Sequence, residues 1–224
     1  MTAKTVVAIC AHTDDEALGC GGTLARHSKN GDRVYALFLA DGVTSRPDAK
    51  DEELASRQTA AEKARQILGI TESFYLGFCD NQLDSLPLLR IVQAIENILK
   101  EIQPDVVYTH HLGDLNIDHR ITHQAVMTAC RPLPGSSVKQ IYSFEVVSST
   151  EWQTPGFHPF TPTFFVDISN VWTEKQLSLV CYSAEMRDEP HSRSIENVLN
   201  LAKFRGNSVG LPLAEAFMLI RSIV

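Results

Sequence analysis

Short apolar runs rich in β-branched residues recur along this chain, each followed by a longer stretch with helical spacing. That alternation narrows the fold more than any other feature. Residues 5–10 (TVVAIC) and 33–39 (RVYALFL) read as buried strands, 73–76 as a short one, and 105–109 (DVVYT), 140–145 and 164–168 as three more. Helical patterns occupy 15–29, 51–68, 87–102 (stopping before Pro104) and 118–130. In the second of these, Leu54, Ala61, Ala64 and Leu68 share the inward face. Strands alternating with helices predict an α/β fold: a mostly parallel sheet with helices on both faces. Strands this apolar suit burial on both sides. The last third is different. Residues 148–162, with Pro155, Gly156, Pro159 and Pro162, read as a long loop, and helices are expected at 170–186, 190–204 and 212–222. A length of 224 residues fits one domain spanning 1–224.

Composition removes several function classes. The formal net charge is −7 and no Lys/Arg cluster appears, which argues against a nucleic-acid binder. No uncharged apolar run approaches the ~20 residues of a membrane helix, so no membrane insertion is expected. The N-terminal MTAKTVVAIC lacks the apolar length of a signal peptide, and a cytoplasmic protein is expected. The five cysteines, Cys10, Cys20, Cys79, Cys130 and Cys181, are odd in number and form no CxxC, so they read as free thiols rather than a structural zinc site.

In open α/β sheets, ligands bind outside the carboxyl ends of the strands. The first strand runs into CAHTDDEALGCGG, which puts His12, Asp14, Asp15 and Glu16 within five positions. The second ends at Ala40-Asp41-Gly42, the third at Gly77-Phe78-Cys79-Asp80-Asn81, and the fourth at Thr109-His110-His111, followed by Gly113-Asp114-Leu115-Asn116-Ile117-Asp118-His119-Arg120. The titratable segments therefore gather on one edge. Three carboxylates at one strand end repel each other unless positive charge is near. Two imidazoles and a carboxylate with a fourth position left to water make a catalytic zinc site, and His12, Asp15 and His119 provide that set. A metal would let the acidic cluster stay ionised. One aspartate can then ligate while its neighbour takes a proton from water; the residues alone do not say which does which. The plainer alternative is helix capping: Asp14, Asp15 and Glu16 in one first turn and Asp118 at the start of the helix bearing His119 and His123. The glycines of GCGG stand too late for a dinucleotide fingerprint, which belongs in the turn directly after the strand. Gly19, Gly21 and Gly22 are expected to allow close helix–sheet packing.

The stretch A-H-T-D-D-E-A-L-G-C-G-G resembles the AHPDDE signature of the PIG-L/LmbE-like N-deacetylases, and D-L-N-I-D-H-R resembles that family's second motif, which ends in Asp-His. Weaker similarities cover Arg57 with Glu62, Gly77–Asp80, Arg205-Gly206 and 213–217. The resemblance implies a Rossmann-like fold and hydrolysis of an N-acetyl group on an N-acetylglucosamine-type amino sugar. By position it implies His12, Asp15 and His119 as ligands of Zn2+ and Asp14 as general base, with homo-oligomers as a common form of assembly. Two departures stand out. Thr13 replaces the family's usual proline. Asn116 stands where many members have a histidine that polarises the acyl oxygen or protonates the leaving amine; Asn116 can donate a hydrogen bond to an oxyanion but cannot act as an acid. His111 or His110 is then expected to serve from the neighbouring strand end, and Asp118 to orient an imidazole. Arg57, Asp80 and His110 are candidates for binding substrate. Arg57 otherwise reads as a surface arginine, and His123 as a supporting histidine. Other divalent ions remain open beside zinc. Competing readings are a two-metal phosphoesterase, an amidase on a non-sugar N-acyl substrate, and a non-catalytic nucleotide-binding module.

Overall fold

The computed structural model describes residues 3–45 and 51–224, save the Asp51 side chain. Among these residues, one seven-stranded sheet has the order β3-β2-β1-β4-β5-β7-β6. Its strands are β1 (Thr5–Cys10), β2 (Arg33–Ala40), β3 (Glu72–Phe78), β4 (Val106–His110), β5 (Gln140–Phe144), β6 (Phe164–Asp167) and β7 (Ala214–Ser222). The helices are α1 (Asp15–Lys29), α2 (Asp51–Leu68), α3 (Leu88–Ile102), α4 (Ile117–Ala129), α5 (Trp172–Cys181) and α6 (Ile195–Asn207). The first five strands are parallel; β7 runs antiparallel to both β5 and β6. The α/β expectation with a mostly parallel sheet therefore holds.

Burial explains the two layers. β1 is wholly buried, as an apolar strand covered on both sides must be. Val6, Ala8 and Cys10 face the core shared with α1, α2, α5 and α6, while Val7 and Ile9 face the core shared with α3 and α4. In α3, Ile91, Val92, Ile95, Leu99 and Ile102 fall three or four apart and form its buried stripe. That helix closes on Gln103 in the left-handed conformation (φ 46°), directly before Pro104.

The glycine reading holds at two of three positions. A Cβ on Gly19 would lie 2.7 Å from Phe144 Cγ, and one on Gly22 would lie 2.8 Å from Ile168 Cγ2. At Gly21 it would meet only ordinary contacts, 3.6 Å from Leu68. Gly19→Ala is therefore expected to destabilise by about 1–3 kcal/mol through overpacking against Phe144, measured by denaturant unfolding, with Gly21→Ala as the near-neutral control.

The C-terminal third corrects the sequence expectation. Residues 212–222 are not a helix: Ala214–Ser222 is strand β7, inserted between β5 and β6. Ala, Glu, Met and Leu there are good helix formers, but propensity differences amount to only tenths of a kcal/mol per residue. Pairing Phe217 with both Phe144 and Phe164 overrides that preference and covers the edges of two strands. The helix expected over 170–186 is shorter, Trp172–Cys181, preceded by a 3-10 turn at Ser169–Val171, and that over 190–204 shifts to Ile195–Asn207. No helix among the described residues is long and apolar enough to cross a membrane.

Candidate metal centre

β1 and β4 are neighbours where the sheet order turns from 3-2-1 to 4-5, so their carboxyl ends open onto one crevice. The turn after β1 and the start of α1 supply residues 12–16, and the turn after β4 and the start of α4 supply residues 111–119. This topology brings the two motifs together across about a hundred residues of sequence.

His12 and His119 flank Asp15. His12 Nδ1 is 3.4 Å from Asp15 Oδ2, and His119 Nε2 is 3.4 Å from Asp15 Oδ1. Two ligands at about 2.0–2.1 Å from a tetrahedral ion stand about 3.3 Å apart, so the spacing matches the donor set. Each imidazole also has a carboxylate behind it. His12 Nε2 lies 3.0 Å from Asp80 Oδ1 and 3.2 Å from Asp118 Oδ2; His119 Nδ1 lies 3.2 Å from Asp114 Oδ1. A carboxylate on the far nitrogen fixes the tautomer and turns the near lone pair toward Asp15. Asp15 Oδ1 is buried without a hydrogen-bond donor. A buried oxygen left open beside His119 Nε2, in a set where donor atoms of His12, Asp15 and His119 all lie within 4.8 Å of one another, is what a cation would satisfy.

The electrostatics agree. Burial opposes a charge on His119, but Asp15 and Asp114 outweigh it and raise its pKa to about 9. Burial likewise opposes a charge on His12, and Asp118, Asp15 and Asp80 outweigh it. Asp15 and Asp114 resist the upward push of burial because the His119 charge holds both well below the usual carboxylate range. The pocket thus holds positive charge firmly, on protons or on a metal. A second set, His12, Asp80 and Asp118, also lies within ligating reach. Its carboxylates are already engaged: Asp118 accepts the N–H groups of Asn81 (2.7 Å) and Leu83 (3.0 Å), and Asp80 accepts the Ser45 hydroxyl. It fits better as the support of His12.

The acids after β1 do not cap α1. Asp14 takes the N-cap position with φ 111° and makes no capping bond. Its Oδ2 accepts from Arg193 Nη1 at 2.9 Å, and Arg57 Nη2 is 3.5 Å from Oδ1. Burial raises the Asp14 pKa and the two guanidiniums oppose it. Glu16 accepts the Tyr182 hydroxyl (2.6 Å) and the Asp14 N–H (3.0 Å); burial pushes it to about 7 despite these donors. Arg57 is not a surface arginine. Its side chain is 9% exposed, its Nε and Nη2 donate to the Thr13 hydroxyl and carbonyl (2.8 and 2.7 Å), and its Nη1 meets Glu185 at 2.7 Å. Thr13, in place of the family's proline, thus gains a bond that proline could not accept through a hydroxyl.

Asn116, not Asp118, caps α4: its Oδ1 accepts from the N–H of Asp118 (2.8 Å) and His119 (3.4 Å). Its Nδ2 is 3.3 Å from Asn81 Oδ1. His110 lies fully buried under His119, rings 3.9 Å apart, with Nε2 accepting from the Ala11 N–H at 2.9 Å, so it faces no solvent. His111 donates Nε2–H to the His158 carbonyl at 2.6 Å. His123 donates Nδ1–H to the His110 carbonyl at 2.8 Å, a supporting position. Sequence reasoning assigned Asp114 no role, although it opens the second motif just after the two strand-end histidines. It also passed over Arg193, which carries no local signal. Asp114→Asn, which weakens the grip on His119, is expected to lower metal affinity about 10–100-fold, measured by competition with a chelator.

The sequence model of a family described as PIG-L, GlcNAc-PI de-N-acetylase, matches residues 7–130. Deacetylase YaiS of Escherichia coli is 34% identical over 151 residues, 65% of this chain and 76% of that protein. The 4-oxalmesaconate hydratase of Pseudomonas putida is 25% identical over 205 residues, 81% of this chain and 74% of that protein. The solved structure of N,N′-diacetylchitobiose deacetylase from Pyrococcus horikoshii superimposes with a TM-score of 0.79 at 22% identity, covering 98% of this chain and 84% of that one.

Proposed function

The chain belongs to the PIG-L family of GlcNAc-PI de-N-acetylases, and from that premise we propose that it is a metal-dependent N-deacetylase that hydrolyses the acetamide of an N-acetylglucosamine-type amino sugar. The observation that carries this reading is the buried Asp15 carboxylate between the two histidines, its donor-free Oδ1 3.4 Å from His119 Nε2 and its Oδ2 3.4 Å from His12 Nδ1. These three residues would hold the ion, zinc in our reading, with Asp114, Asp80 and Asp118 orienting the imidazoles. Bound there, a divalent ion supplies Lewis acidity and brings the pKa of water to about 7.

The chain's own groups then divide the work. Asp14, outside the ligand set on its left-handed turn (φ 111°), takes a proton from the attacking water. Arg193 and Arg57 hold that carboxylate in place. As water's oxygen bonds to the carbonyl carbon, negative charge grows on the acyl oxygen, and the Asn116 Nδ2 hydrogen not given to Asn81 is the donor we assign to it. The C–N bond breaks, acetate forms, and the amine leaves with the proton that Asp14 returns. His111 has Nε2 engaged by His158, which leaves Nδ1 as its one nitrogen able to share in that transfer. Asp80 and Arg57 border the same crevice as candidates for sugar hydroxyls.

The test is acetate release from N-acetylglucosamine derivatives, with zinc and with chelator, alongside a metal count. Metal-dependent release with one metal per chain supports the reading. Two metals per chain and phosphate-ester cleavage would replace it with the phosphoesterase alternative. A second reading, hydration of an unsaturated polycarboxylic acid, is favoured by the match to the hydratase. Loss of substrate double-bond absorbance with no acetate release would select it.

A further inference from the structure

Three exposed apolar side chains stand on two segments that the metal centre itself ties together. Trp152 is 52% exposed; Phe157, five residues on, and Leu115, on the other segment, are exposed as well. Leu115 follows Asp114 in the turn between β4 and α4. Trp152 ends the 3-10 turn Thr150–Trp152. Ser149 and Thr150 both donate hydroxyls to Asp114, the latter at 2.7 Å, and Gln153 Nε2 donates to the Asp114 carbonyl at 3.0 Å. The Leu115 N–H reaches the Ser149 carbonyl at 3.4 Å. On its other flank the indole meets the His191 ring edge-on, centroids 5.7 Å apart. His191 Nδ1 accepts from the Arg193 N–H at 3.0 Å, and the Arg193 guanidinium holds Asp14. Trp152 is thus bound, within two or three residues, both to the carboxylate behind a metal histidine and to the guanidinium behind the general base.

The loop bearing it is anchored rather than free. His158 accepts from His111, the Phe160 ring meets His111 at 5.3 Å, and Arg205, paired bidentately with Glu145 at 2.7 and 2.6 Å, lies 5.5 Å over the same Phe160 ring. A rigid aromatic face at the rim of a polar site is a preformed binding surface, since little ordering is left to be done on binding. One face of a pyranose ring presents C–H groups while its hydroxyls lie at the edge. An indole with polar neighbours such as His191 and Gln153 suits that shape.

Resting on the deacetylase reading, we propose that Trp152 is a specificity-determining residue: it stacks on the ring attached to the N-acetylated sugar, so the substrate is a disaccharide or ring-bearing conjugate rather than free N-acetylglucosamine. The chain has two tryptophans, so Trp172→Phe leaves Trp152 as the single emitter. In that variant, N,N′-diacetylchitobiose should shift Trp152 emission saturably, at about a tenth of the concentration that N-acetylglucosamine requires. Trp152→Ala should raise KM for the disaccharide about tenfold at unchanged kcat, leave the monosaccharide unaffected, and be partly rescued by Trp152→Phe. Equal effects on both sugars, or an unmoved emission at saturating disaccharide, would overturn the platform. So would a change in molecular mass in Trp152→Ala, which would mean that a second copy covers the face. The two readings fail separately: an emission shift without acetate release removes the deacetylase, and release that ignores Trp152 removes the platform.

Discussion

Asp14→Asn is expected to lower kcat by about 10²–10⁴-fold while the chain still binds one metal. The carboxylate lies outside the ligand set and is gripped by Arg193 at 2.9 Å. The amide is nearly isosteric and keeps an acceptor for that bond, so the turn should hold its shape. What it loses is the ability to take a proton. Asp15→Asn is the contrasting variant, because its carboxylate sits between the two histidines, one oxygen near each; it should lose the metal together with turnover. Elemental analysis of both proteins beside their kcat separates the roles. Normal turnover in Asp14→Asn would remove the general-base assignment.

Lys175→Met is expected to destabilise the protein by about 3–5 kcal/mol, a drop in Tm of about 10 °C. Lys175 is 2% exposed on α5 and pairs with Glu215 of β7 at 2.5 Å while donating to the Leu18 carbonyl at 2.8 Å. The pair sits against a break in α1, where Cys20 leaves helical geometry (φ −146°). Beyond the break, Glu215 accepts the N–H groups of Gly22 and Thr23 and the Thr23 hydroxyl, at 2.9, 2.7 and 2.6 Å. One ion pair thus satisfies both sides of the interrupted helix. Methionine fills the volume but leaves Glu215 buried without its cation. A change in Tm of a degree or less would show that the carboxylate finds water instead.

What was legible in the sequence follows from range. His12 and Asp15 are three residues apart on one turn, and His119 follows a strand end rich in histidine, so local chemistry together with the strand-end rule singled them out. Asp114 was within the same window but was one aspartate among several; only its bond to His119 Nδ1 marks it. Asn116 was readable as a polar residue at the head of a helix, yet its cap is a backbone geometry that spacing cannot distinguish from one at Asp118. Arg193 reaches Asp14 across 179 residues with no pattern in its segment to announce it, and Glu215 reaches Gly22 across 193, where the similarity over 213–217 gave no hint of the partner.

By itself the sequence determined the alternating α/β layers, the polar edge of the sheet and the residue types of the candidate metal site, because hydrophobic periodicity and strand-end chemistry act over a few residues. Tertiary structure alone decided that 214–222 is a strand, that Asp14 stands between two guanidiniums, and which carboxylate backs each histidine. Those outcomes depend on backbone pairing, burial and charge contacts between segments far apart in the chain, and such energies exist only once the sheet has brought the segments together.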